Sequence, residues 1–132
     1  MRADGGAAVR RNVHEPLRVE HQQRLTDGCP ADAQLSRELV KENLLFHQAI
    51  LDGSGSGRLT AMVRQVIELP LVYRSYVWYS PEQQRISAHY HVQITRALES
   101  RDAERAELVM KEHIFEARDL LLTHWRELEA PT

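Results

Sequence analysis

Asn43 and His47 lie in the stretch "NLLFHQAI", four residues apart, so on a helix their side chains leave the same side. Leu39, Phe46, Ile50 and Leu51 surround them and turn that side toward a core. An amide and an imidazole buried without partners would each cost about 1–3 kcal/mol, so the pattern asks for something that meets them. The chain has seven histidines, and helical phase separates them. His113 falls in the middle of the stripe Ala106, Val109, Met110, Ala117 and Leu120. His91 precedes Ile94 and Leu98 by three and seven residues, at the edge of an apolar side, whereas His89 shares its side with Arg85, Gln93 and Arg96 and is expected in water. His124 is on the stripe of the last helix, eleven residues beyond His113. At about 1.5 Å rise per residue that is too far along to share an ion with it. Three inward imidazoles on three helices can hold Zn²⁺, Ni²⁺, Mn²⁺ or a similar divalent ion. One inward histidine is as a rule a hydrogen-bonded core residue, and periodicity leaves both readings of the trio open.

The elements that must position these residues are helices. Residues 1–12, "MRADGGAAVRRN", are small, Gly-rich and unpatterned, and are expected to form a flexible tail ahead of a single helical domain over 13–129. Val13 to about Thr26 permits an amphipathic helix with Pro16 in its first turn, followed by the connector "DGCPAD". Leu35, Leu39, Asn43, His47 and Ile50 continue at helical spacing until "DGSGSG". A third helix carries Leu59, Met62, Val63, Val66 and Ile67 up to Pro70, and "LVYRSYVWY" (Leu71–Tyr79) is read as helix because its neighbours are helical. Ser80 caps the next helix with Pro81 in its first position, and "SRDAERAE" from Ser100 opens the last and longest one, with Ile114 on the same face as Val109 and Met110. No alternating strand pattern or internal repeat is present. The expectation is an all-α, antiparallel helical bundle.

Composition bounds the function. One domain fits 132 residues, with 42% apolar and 27% charged side chains. A net charge of −2, from 17 basic and 19 acidic residues, argues against a broad nucleic-acid footprint. A lone cysteine, Cys29, suits a reducing cytoplasm, and no apolar run is long enough for a membrane span.

The ordered motifs "NLLFHQAILDGSGSGRL" and "HVQITRALESRDAERAELVMKEHI", over about Leu35 to Trp125, resemble the FCD effector-binding domain of FadR-like GntR transcription regulators. The resemblance implies a divalent metal held by Asn43, His47, His91 and His113, a small organic acid as effector, and a homodimer. It also implies control of DNA through a winged-helix domain, which these residues lack. Asn43 stands where many members carry Asp, and a neutral amide oxygen is the poorer ligand. Ser56 stands where Asn is expected.

Two other classes compete with a ligand-sensing domain. A metal-dependent enzyme needs a general base, yet Glu42 and Glu112 adjoin His47 and His113 off the inward stripe. The chain also lacks the Glu-x-x-His of di-iron bundles, and "GSGSG" follows a helix, unlike a phosphate loop. A pure interaction module would use the aromatics from Tyr73 to Tyr79 as its contact face. Arg58, Tyr73 and Arg74 could form a carboxylate clamp or a solvated face, and the solvated face is the favoured reading.

Overall fold

The computed structural model describes residues 19–28, 33–67 and 78–130. The expected tail, Pro16, "CPAD", and the stretch from Glu68 to Val77 with Tyr73 and Arg74 lie outside them. Five helices are described: α1 (Val19–Gly28), α2 (Ala33–Gly53), α3 (Gly57–Ile67), α4 (Pro81–Glu99) and α5 (Ala103–Glu129). There is no strand among the described residues, and the architecture is an all-α bundle. No helix of theirs is long and apolar enough to cross a membrane.

Local chemistry sets the helix ends. At Ser80 the backbone is extended (φ −64°, ψ 162°), and the capping box is complete: Gln83 N–H donates to Ser80 Oγ at 3.2 Å, and Ser80 N–H to Gln83 Oε1 at 2.8 Å. Pro81 follows at the first helical position, where a missing N–H costs nothing. An extended residue before proline also explains a difference from the expectation for Leu71–Tyr79. Trp78 sits in a 3₁₀ turn and Tyr79 is not helical.

The last helix begins at Ala103, not Ser100. Ser100 closes α4, Arg101 takes a positive φ of 56°, and Asp102 N–H reaches back to the Ala97 carbonyl at 2.9 Å. Asp102 then caps α5 by accepting from Arg105 N–H at 3.0 Å. This three-residue connection folds α5 back along α4. Between α2 and α3, Gly55 supplies the positive φ of 69°. Ser56 there accepts from Leu59 N–H at 3.2 Å, and Thr60 Oγ donates to the Leu51 carbonyl at 3.1 Å.

The core forms where α1, α2 and α4 meet, with α5 packed on α4. Val19, Phe46 and Ile94 form its centre, with Ala49, Ile50, Leu98, Val109 and Met110 around them. Leu35 and Leu39 build a second cluster with Leu25, Val40 and Tyr79. Ile114 is 54% exposed, because one residue past His113 is a rotation of about 100° away from the inward stripe. Leu59, Met62 and Val66 of α3 are likewise exposed.

Phe46 has no exposed surface and stacks on the His91 ring, centroids 3.9 Å apart. Phe46→Ala is therefore expected to cost about 3–5 kcal/mol, a large part of a total of about 5–15. Leu128→Ala, at a residue 67% exposed, should change stability by less than about 0.5 kcal/mol. Denaturant unfolding monitored by helicity separates the two, and equal losses would contradict this placement of the core.

Candidate metal centre

The α4–α5 connection does most of the positioning. His91 and His113 are each eleven residues from Asp102, so a hairpin closed there brings them level. Their Nε2 atoms lie 3.1 Å apart. His47 arrives from α2, one residue after the buried Phe46, and its Nε2 lies 3.3 Å from that of His113. The three ligand atoms lie within 4.8 Å of one another. His91 and His113 are buried, while His47 keeps part of its surface open. The His47 and His113 rings stack nearly parallel at 5.3 Å, and His91 stands edge-on to both.

Of the residues expected at the site, these three converge. Asn43 sits one turn before His47, half-buried, and makes no hydrogen bond to any of the rings. His89 is exposed, as its phase requires. His124 is elsewhere, stacked on Trp78 at 4.2 Å. Glu42 departs from expectation. It is buried, but between α1 and α2, with Oε1 3.9 Å from His21 Nε2, and no carboxylate oxygen joins the trio among the described residues. Glu112 is exposed.

One contributor escaped the sequence reading. Gln22 of α1 is buried, donates through Nε2 to the Glu42 backbone carbonyl at 3.3 Å, and turns Oε1 to His91 Nδ1 at 2.5 Å. A signal existed: Val19, Gln22 and Thr26 are spaced i, i+3, i+7 and all face inward. The pairing across 69 residues had none.

Burial leaves the rings neutral. Desolvation and then the neighbouring His113 hold His47 down to about 3, against an ordinary 6.5. Burial alone takes His113 to about 4. His91, enclosed and facing both other rings, lies well below its ordinary value.

Neutral rings pose a proton-counting problem. The Gln22 oxygen can only accept, and a His91 proton on Nδ1 would meet it and leave an Nε2 lone pair aimed at the cluster. A proton on His113 Nε2 can then point at His91 or at His47, and one of the three nitrogens is left without a partner. A divalent cation between them meets three lone pairs at once. Nitrogens around a tetrahedral ion at about 2.0–2.1 Å lie about 3.3–3.4 Å apart, close to the 3.1 and 3.3 Å that separate His113 from His91 and from His47, with all three ligand atoms within 4.8 Å. The residues fit a metal.

The lowered pKa values predict acid sensitivity of the metal-free chain. The unfolded chain binds protons on these histidines as pH falls through 6.5, while the folded chain does not until about 3–4. Their contribution is therefore fully present above pH 6.5 and is lost on acidification, by up to about 2 kcal/mol per ring at pH 5. Denaturant midpoints of chelator-treated protein at pH 7.5 and pH 5 should differ accordingly, and equal midpoints would contradict the buried neutral state.

Comparison with curated proteins returns no match, and comparison with solved structures returns none. The family model for the FCD domain matches residues 6–116. The match begins well before Leu35 and so takes in α1, the helix that supplies Gln22. With most of its length covered, this chain belongs to the FCD domain family.

Proposed function

We propose that the chain is the ligand-sensing and dimerising part of a GntR/FadR-type transcription regulator, holding a divalent metal on His47, His91 and His113. FCD domains are the regulatory, ligand-binding domains of such regulators. The convergence of three neutral Nε2 atoms, two on buried rings and one on the half-buried His47, carries the reading. Zn²⁺, Ni²⁺ and Mn²⁺ all accept imidazole, and an ion here would supply a Lewis-acidic centre for the carboxylate of a small organic acid. The half-open side at His47 supports access for such a ligand. Asn43, one turn from His47 on α2, would add at most a weak amide ligand where many members of the family have a carboxylate. Among the described residues no carboxylate joins the trio to act as a base, which favours sensing over catalysis. Control of DNA would then pass to a winged-helix domain outside these residues.

Zn²⁺ titration by calorimetry tests the centre. His113→Ala removes one ligand and should abolish tight binding, and His89→Ala should leave it unchanged. Asn43→Asp should tighten it by restoring a charged oxygen donor. Equal binding by the His113 and His89 variants would reduce the site to a general His-rich surface.

The homodimer rests on the family and on the outer face of α5, where Leu108, Phe115, Leu122 and Trp125 are exposed. Trp78 and Tyr79, the described end of the expected aromatic face, pack within the chain, on His124 and on the Leu35–Leu39 cluster. Light scattering at tens of micromolar should give twice 15.3 kDa, and a monomer mass would contradict the dimer.

A further inference from the structure

Gln22 joins three helices at one point. It projects from α1, donates to a carbonyl of α2 and sets its Oε1 2.5 Å from the Nδ1 of His91 on α4. Its side chain is buried, so neither bond competes with water. The donor bond to Glu42 orients the amide and leaves only the oxygen to face His91.

We propose that Gln22 is the positioning residue of the metal centre: it holds His91 in the Nδ1–H tautomer and thereby ties the docking of α1 to metal affinity. The inference rests on the metal reading above. An imidazole free in water favours the opposite, Nε2–H form, which would aim a proton at the ion. The Gln22 oxygen reverses that preference before any ion arrives, and also fixes the ring rotation against the Phe46 stack. Because Gln22 sits on α1, the coupling is reciprocal: an ion on His91 strengthens the tie to α1, and a docked α1 strengthens the hold on the ion. Among the described residues the two other rings have no such tie. Outside the trio, His47 meets the edge of Phe46, and His113 the tilted Tyr90 ring at 5.5 Å.

Long-range ¹H–¹⁵N spectra of the metal-free chain at pH 7.5 read the tautomer directly, and Zn²⁺ calorimetry reads the affinity. The wild-type His91 should be Nδ1–H. Gln22→Met keeps the volume but cannot accept a hydrogen bond; it should shift His91 toward Nε2–H and weaken Zn²⁺ binding about 10- to 100-fold. Zn²⁺ should also slow amide exchange across α1 in the wild type and do so much less in Q22M. An Nε2–H His91 in the metal-free wild type overturns the role of Gln22 even if Zn²⁺ binds, and so does a Q22M variant with unchanged tautomer and affinity. A wild type with the Nδ1–H tautomer that takes up no Zn²⁺ overturns the metal reading, and the positioning role falls with it. Should Q22M lose its helicity, the wild-type tautomer and the Zn²⁺ dependence of its α1 exchange decide the matter.

Discussion

Three uncharged imidazoles pressed together inside a helical bundle constrain everything around them. Their nitrogens sit 3.1 and 3.3 Å apart, too close for two protons and with too many lone pairs for one. Such a cluster is a poor core. The same volume filled with leucine would bury more apolar surface and leave no donor or acceptor in question. The bundle holds it in place through apolar neighbours: Phe46 against the face of His91, and Val109 and Met110 one turn before His113 on α5. Stability is surrendered at the centre for three convergent imidazoles.

The geometry depends on two ends of helices that lie about sixteen ångströms away, at about 1.5 Å per residue. Asp102 ends the turn out of α4 and caps α5, and a slip of one residue there would rotate His113 by about 100° relative to His91. Arg101 occupies the left-handed position that glycine fills most cheaply, so this turn carries some strain in a place where its register matters. Ser80 and Pro81 fix the other end of α4 with a full capping box. Both helices are thus pinned at the ends that decide which residues meet.

The bundle is uneven. Polar side chains fill much of the interior of α4, where Gln84, Ser87, His91 and Thr95 are buried beside Ala88, Ile94 and Ala97. The long α5 instead has only His113 buried and leaves large apolar side chains on its far side. The inside is thus rich in polar groups and the far side of α5 rich in apolar ones.

The sequence alone determined the helices, because apolar spacing near 3.6, Ser80–Pro81 and the glycines around Gly55 act within a few residues of themselves. It also determined which histidines face inward, since phase separates His91 from His89 whatever the partner helix is. Local rules misplaced the ends, where the extended backbone before Pro81 and the turn at Arg101 take over from periodicity. Tertiary structure decided what the inward residues meet. Phase put Asn43 and His47 on one side, but only the packing of α2 against the α4–α5 hairpin brought His47 to His113 and left Asn43 a turn away. Glu42 is buried by α1, and Gln22 reaches His91 across 69 residues. Contacts of that kind depend on how one helix is rotated and shifted against another, and a single sequence carries the period of each helix but not the offset between two of them.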